Sequence, residues 1–490
     1  MNSMKEDCIR MRFDSGVKST LLVICFSAVI LSGCMVGPDF KPPELAMPQH
    51  WTNPVPEAGN TDPEFAQWWK IFDDQTLDWL IDKAISDNLD LKLALARIAQ
   101  ARAAGRQATS QFGPKINASG SYKRYQDRAV SEQDTAGPPQ APVIETIVDD
   151  QYQTGFDAGW EIDLFGGLRR SSEAAAAEFE ASTEALRDVR VTLVAEVARC
   201  YMELRILQKR KAIADHRRRA QEQYAQLMQR KYDNGLVSGL DAANAQMQAA
   251  VTAARIPLLE ADARQTIHKI GILLGGYPGS LIKRLAPVAD LPMVVPSVPA
   301  GVPSELLRRR PDIRQAEAQL HAATARVGVA TADLYPKFTI TGSISYLTDS
   351  VSSLFSSTSL YWFFGPSIDW SLFDSGRTKA KIRVQEALEE QAIVIYKQKV
   401  LSAMLDVENA LVALAKQEAH CKALANAVRA GRKSVRLAKQ LYMAGETDFF
   451  HVLVVEQYLY NEEDAFAQSR GDILIHLISL YKALGGGWSA

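Results

Sequence analysis

The chain has 490 residues, 47% hydrophobic and 23% charged, with 55 Lys and Arg against 57 Asp and Glu for a formal net charge of -2. This composition suits a folded chain of roughly two or three domains, and the slightly negative net charge argues against nucleic acid as a partner. There is no His-Glu-x-x-His, Gly-x-Ser-x-Gly, Cys-x-x-Cys or phosphate-cradling glycine loop, and the seven histidines are scattered singly, so no catalytic residue and no metal site is expected and the chain reads as no enzyme.

At the N-terminus Lys5, Arg10, Arg12 and Lys18 precede an apolar run over 21–31, the layout of a secretory signal. The run is too short to cross a bilayer, which needs roughly 20 apolar residues, so residues 1–33 are read as a removed signal peptide. Its end, Leu31-Ser32-Gly33-Cys34, resembles the bacterial lipobox. The resemblance implies that Cys34 becomes the mature N-terminus, carrying a diacylglycerol and an N-acyl chain, and that Met35, standing where an aspartate commonly retains such proteins at the inner membrane, points to the outer membrane. Apart from this covalent lipid no cofactor is expected. Residues 34–75 read as a lipidated N-terminal segment, with Pro-rich 38–56 a stiff, extended tether. Of the five cysteines, Cys8 and Cys25 leave with the signal, while Cys200 and Cys421 fall on apolar heptad positions and are expected to be buried and reduced.

From residue 76 onward the chain is written twice. The segment NLDLKLALARIAQARAAGRQATSQFGPKINASGSY (88–122) aligns with RPDIRQAEAQLHAATARVGVATADLYPKFTITGSISY (310–346), WEIDLFGGLRR (160–170) with WSLFDSGRTK (370–379), and YDNGLVSGLD (232–241) with YMAGETDFFH (442–451). Each half, 76–276 and 304–490, predicts a helix, two strands, a long helix, a tight turn and a shorter helix, and a Pro-rich segment at 277–303 joins them. The fold class is α+β with an internal two-fold repeat.

The predicted strands alternate with period two. Tyr152, Phe156, Ala158, Trp160 and Ile162 are apolar against Gln153, Asp157 and Glu161, and the same holds for Ile116 and Ala118 against Lys115 and Asn117, for Phe338, Ile340 and Ile344 against Thr339, Thr341 and Ser343, and for Trp362, Phe364, Ile368 and Trp370 against Ser367 and Asp369. A half-buried soluble sheet has this pattern too. Run lengths near the ~9–11 residues of a membrane strand, Tyr122, Tyr152, Tyr346 and Trp362 near the strand ends, and polar loops at 126–150 and 347–359 favour a transmembrane barrel. Open edges are not tolerated in lipid, so copies of the chain must complete the barrel; three copies give twelve strands and two give eight, both allowed numbers.

Helices without proline are predicted over about 168–231 and 377–441. Phe179, Leu186, Leu193, Cys200 and Leu207 in the first, and Ile393, Val400, Val407, Leu414, Cys421, Val428, Val435 and Tyr442 in the second, recur every seven residues, the signature of left-handed coiled-coil packing. Arg308, Arg309 and Arg310 read as solvated charges ahead of a helix that begins with Pro311 and Asp312.

These features resemble the TolC family of outer-membrane efflux ducts, in its lipoprotein branch. The carriers are WWKIFDDQTLDWLIDKAISDNLDLKLALARIAQARA (68–103), RRRPDIRQAEAQLHAATARVGVATADLYPKFTITGS (308–343), the repeat order and the two Tyr-x-x-Gly turns at 232–235 and 442–445. The resemblance implies a homotrimer that shares one twelve-stranded barrel continued by a periplasmic α-barrel. As partners it implies a periplasmic adaptor, an inner-membrane efflux pump and outer-membrane lipid, and it makes the chain the passive exit duct of a tripartite system, gated at the helix tips.

At those tips Gly235 and Gly445 read first as helix C-caps. Asp241 and Tyr442 stand where family members have gate residues, although Asp241 also suits a helix first turn and Tyr442 completes the heptad seam. Tyr232, Glu446, Asp448 and His451 complete the candidate gate, with Asp448 also an N-cap candidate and His451 either a pH-sensitive constriction or a solvated helix histidine. Thr447 replaces the family's basic residue, and His451 and Val454 replace its aspartates, so the usual salt bridges and acidic rings of the second tip are not expected unchanged. The alternative, a lipid-anchored structural coiled-coil protein, explains the anchor and heptads but not four alternating strands in duplicate.

Overall fold

The computed structural model describes residues 35–53, 65–131, 143–292 and 302–488; the signal segment and Cys34, the expected acylation site, lie outside the described residues. Its main elements are α1 (Gln75–Asp87), α2 (Leu89–Ser110), β1 (Lys115–Ser131), β2 (Val143–Ile162), α3 (Gly167–Asp233) and α4 (Gly239–Leu273) in the first half. The second half supplies α5 (Pro311–Ala332), β3 (Lys337–Thr348), β4 (Leu360–Asp369), α6 (Arg377–Met443) and α7 (Phe449–Ala483). The repeat is carried into equal lengths: α2 and α5 have 22 residues, α3 and α6 have 67, and α4 and α7 have 35. At ~1.5 Å per residue a 67-residue helix rises about 100 Å. The predicted bounds of these two helices hold to within two residues.

The chain divides into two compact units, one of Met1–Pro42, Ala101–Phe179 and Gln319–Ile393, and another of Pro43–Gln100, Glu180–Ala318 and Val394–Ala490. The first unit contains an antiparallel four-stranded meander in the order β1-β2-β3-β4. Its register aligns the period-two pattern across all strands: Ala118, Phe156, Ile344 and Trp362 form one rung, and Ile116, Ala158, Gly342 and Phe364 the next. Phe156, Ile344, Trp362, Phe364, Ile116 and Ile368 are all exposed, so one face of the sheet is a bare apolar surface. The opposite face carries Asn117, Asp157 and Ser343, with Asn117 Nδ2 donating to Asp157 Oδ2 at 2.8 Å, but it also takes Tyr361 and Phe363, whose rings lie 6.2 Å apart.

Two expectations about the strands are corrected. β1 and β2 have 17 and 20 residues, so Tyr122 and Tyr152, paired at 4.9 Å between ring centroids, sit in the middle of the β1–β2 ladder and not at its ends. The hairpin continues through 126–131 and 143–150, which the sequence reads as loop, because main-chain pairing needs no apolar alternation to persist. Trp370 falls just after β4. Its Nε1 donates to Leu334 O (3.1 Å), as Trp160 Nε1 does to Phe112 O (2.7 Å), so in both halves an indole closes the helix-to-strand turn. The turns into the long helices are closed by carboxylates: Asp163 accepts from the amides of Leu168 and Arg169, and Asp374 from those of Gly376 and Thr378.

The second unit is organised around a helical core. Trp68, Trp69 and Phe72, from a short 3-10 segment (Phe65–Phe72), pack with Leu77, Leu80 and Ile81 of α1 against Val194, Val197 and Tyr201 of α3 and Leu477 and Tyr481 of α7. The heptad seam holds: Val400, Val407, Leu414 and Val428 in α6 are buried, as are Leu193, Cys200 and Leu207 in α3. Cys421 is only half-buried, unlike the expectation, whereas burial and nearby Glu196 push the Cys200 thiol up to about 12. Both cysteines are free.

The arginine triplet is also corrected. Arg308 is exposed, but Arg309 pairs with Glu305 at 2.8 Å and Arg310 is a largely enclosed fork, its side chain 12% exposed. Arg310 donates to both Asp312 carboxylate oxygens (3.0 and 2.8 Å), to Asp406 (3.1 Å) and to Ala483 O at the end of α7 (3.0 Å). Burial raises the Asp312 carboxyl, but the bonds and charge of Arg310 outweigh it and hold the group below its ordinary 3.8. A depressed carboxyl stabilises the fold above the unfolded value and loses that contribution as pH falls through its lower folded value. Arg310→Met is expected to cost about 2–3 kcal/mol at neutral pH by stranding the largely enclosed Asp312 carboxylate. Thermal unfolding in detergent at pH 7 should show a lowered midpoint, with the difference from the parent shrinking below about pH 3.8.

Candidate functional site

Both long helices end in the same turn. Gly235 (φ +71) and Gly445 (φ +75) adopt the left-handed conformation that L side chains resist. Gly235 N–H donates to Tyr232 O (2.8 Å) and Leu236 N–H to Lys231 O (2.8 Å); in the second tip Gly445 donates to Tyr442 O (3.0 Å) and Glu446 to Leu441 O (2.9 Å). This is the Schellman closure, and it makes the two glycines structural C-caps.

The helices that leave the tips are capped differently. Ser238 and Asp241 form a capping box: Asp241 N–H donates to Ser238 Oγ (3.2 Å), while Ser238 N–H (3.2 Å) and Oγ (2.7 Å) donate to Asp241 Oδ2. At the repeat-related positions Asp448 is the N-cap and His451 the third helical residue. Asp448 accepts from His451 N–H (3.1 Å), and its carboxylate bonds the His451 ring Nδ1 at 2.7 Å. These bonds hold the Asp448 carboxyl below the usual carboxylate range. Asp241, Asp448 and His451 are therefore engaged in capping within their own turns, whereas Glu446 projects from an exposed turn position.

The two tips are joined by a small core that sequence reasoning missed. Met228 of α3, Ala245 of α4, and Phe449, Val452 and Leu453 of α7 are buried together. Phe449 lies between the Tyr224 ring (5.6 Å) and the Tyr442 ring (5.4 Å). Lys231 Nζ donates to Tyr442 OH at 3.1 Å, which links the end of α3 to the end of α6. Lys439 pairs with Glu456 at 2.7 Å and lies 5.3 Å from the Tyr224 ring centroid. The signal for this core is a difference between the halves: Phe449 stands where the first half has Gly239. Tyr232 lies over Gly239, where a Cβ would meet Tyr232 Cε2 at 3.3 Å, and Tyr232 remains 47% exposed. The equivalent Tyr442 meets a phenyl ring instead.

Among the described residues no His, Cys, Asp and Glu side chains form a metal-holding group of three or more, and no helix is long and apolar enough to cross a membrane. The bare apolar face of the sheet and the joined hairpin tips are thus the features that call for a functional account.

Residues 80–276 and 302–486 match the model of a family described as outer membrane efflux protein. The cation efflux system protein CusC of Escherichia coli O6:H1 is 29% identical over 470 residues, covering 96% of this chain and 98% of that protein. The probable outer membrane lipoprotein SilC of Salmonella typhimurium is 28% identical over 463 residues, covering 94% and 97%. Among solved structures, the outer-membrane channel OprN superposes with a TM-score of 0.84 at 35% identity, covering 93% of this chain and all of that one. The match spans both halves of the repeat and the fold agrees throughout, so the chain belongs to the outer membrane efflux protein family, as a channel of the outer membrane and not an enzyme.

Proposed function

We infer that the chain is the exit duct of a tripartite efflux system, three copies of it sharing one barrel and passing molecules expelled by an inner-membrane pump through a periplasmic adaptor. The observation that carries this reading is the sheet: four strands with one continuous apolar face and, among the described residues, an unpaired edge on both β1 and β4. In lipid each unsatisfied backbone group costs several kcal/mol, so both edges call for neighbouring copies. Three copies of the four strands give twelve, an even number within the range of such barrels. Acylation of Cys34 after removal of residues 1–33 accords with the lipoprotein name of SilC. In this reading 34–75 is the lipidated segment, 76–276 and 304–490 are the two repeats, and 277–303 joins them.

The resting entrance is held by the hairpin tips, with Tyr232, Asp241, Tyr442, Glu446, Asp448 and His451 as the candidate gate. Because Asp241 is the third helical residue of a capping box, its truncation acts twice: the bonds its carboxylate accepts from Ser238 are lost at a cost of about 1 kcal/mol, and a charge leaves the entrance. Asp241→Asn keeps an acceptor and removes only the charge. In planar bilayers a trimer of small resting conductance is expected, with both Asp241→Asn and Glu446→Gln raising it severalfold. An unchanged conductance in both would remove these carboxylates from the gate, and a monomer without conductance would reject the duct.

A further inference from the structure

Residues 35–40 are held far more firmly than an extended, proline-bearing segment requires. Arg170, in the first turn of α3, is 1% exposed. Its Nε donates to Val36 O (3.2 Å), its Nη2 to Gly37 O (3.4 Å) and Asp39 Oδ1 (2.6 Å), and its Nη1 to Glu173 Oε2 (2.8 Å). Glu173 also bonds His321 Nε2 of α5 at 2.9 Å, and the His321 ring stacks on Phe40 at 4.5 Å between centroids and 16° between planes. Val36 N–H donates to Phe165 O at 3.1 Å.

The seat is shaped for close approach. Gly37 has φ +88, and a Cβ there would lie 2.4 Å from Gly328 Cα; a Cβ on Gly328 would lie 2.8 Å from Arg170 Cγ. A buried guanidinium is costly unless its donors and charge are met. Here three of the four bonds just described come from the arm and only one from the helix that carries Arg170. Met35 closes over Gly166, where a Cβ would meet Met35 Cγ at 2.6 Å, a few residues past the end of β2 at Ile162.

We propose that this seat is a binding site for the chain's own mature N-terminal segment, and that Arg170 is the positioning residue that sets where the acylated N-terminus enters the lipid surface. The proposal rests on the reading of Cys34 as acylated and adds to it a division of labour. Arg170, Glu173 and His321 hold the arm, and the acyl chains enter the membrane from an arm already fixed beside the foot of β2. The recognised ligand is a short peptide with two consecutive carbonyls, a carboxylate and an aromatic ring, which is what Val36, Gly37, Asp39 and Phe40 supply.

Hydrogen exchange read by mass spectrometry on the full mature protein in detergent tests this, with intact mass reporting acylation separately. Arm amides over 35–40 are expected to exchange slowly in the parent. A lost charge-assisted bond implies acceleration of about 10- to 100-fold in Arg170→Met and in Asp39→Asn, the latter at a side chain that is 78% exposed and so separable from folding. Exchange in β2 should stay as in the parent. Cys34→Ser, exported behind a signal that adds no lipid, should keep the slow arm. Unchanged arm exchange in both charge variants, or a released arm in Cys34→Ser, would overturn the seat. A parent mass without acyl chains would instead overturn the acylation reading, and with it the claim about lipid entry.

Discussion

Replacing Phe449 with alanine is expected to raise the resting conductance of the reconstituted channel by at least tenfold while leaving the oligomer intact. Phe449 is 4% exposed and is the residue through which Tyr224 of α3 and Tyr442 of α6 meet the start of α7. Truncating a buried phenylalanine costs about 3–5 kcal/mol. That cost falls on a tip core of five buried residues separate from the large core around Trp68 and Tyr201, so it acts on local opening more than on global unfolding. A bias of ~3 kcal/mol between joined and separated tips changes their ratio by about a hundredfold. Phe450→Ala is the control, since that neighbouring ring is 52% exposed and its removal leaves no cavity. If Phe449→Ala conducts like the parent, the joined tips are not what restricts the resting duct.

The second large effect lies in the sheet. Gly155→Leu is expected to abolish heat-stable oligomers and all conductance while leaving the helical circular dichroism in place. Gly155 pairs with Ser345 in the β2–β3 ladder, and a Cβ there would lie 2.4 Å from Ile344 O and from Ser345 Cβ. Much of that clash is with backbone, so no rotamer change relieves it; the ladder itself must part. The β2–β3 ladder, from Tyr152↔Thr348 to Ile162↔Phe338, joins the hairpin of one repeat to the hairpin of the other. Without it the sheet becomes two ribbons, and an isolated two-stranded ribbon is marginal at best. Gly159→Ala is the matched control in the same strand, because a Cβ there meets nothing within 4 Å. Stable, conducting oligomers of Gly155→Leu would mean that the two hairpins need not pair.

Much of this architecture is legible in the sequence. The heptads that end at Leu207 and Tyr442, the Tyr-x-x-Gly turns, the strand alternation around Trp160 and the duplicate order all report on local faces of one helix or strand. Period 3.5 and period 2 are properties of neighbouring residues along the chain, and Gly235 and Gly445 mark turns by their own conformational freedom. The tip caps are half legible: Asp448 is a recognisable N-cap and Asp241 a first-turn acid, while the capping box that joins Asp241 to Ser238 shows only in the fold.

What the sequence by itself determined, then, is the set of elements, their duplication, the apolar face of each strand and the seam of each long helix. Tertiary structure alone decided the rest. It turned Arg310 from a solvated charge into a largely enclosed fork on Asp312 and Asp406, carried β1 and β2 well past their apolar pattern, left Cys421 half-buried, and made Phe449 the join between hairpins. It also brought Asp39 to Arg170 across 131 positions of chain. The physical reason is common to all of these: a residue's partner across a fold leaves no periodic mark near that residue, because the free energy of such a contact depends on burial and geometry that only the packed elements create.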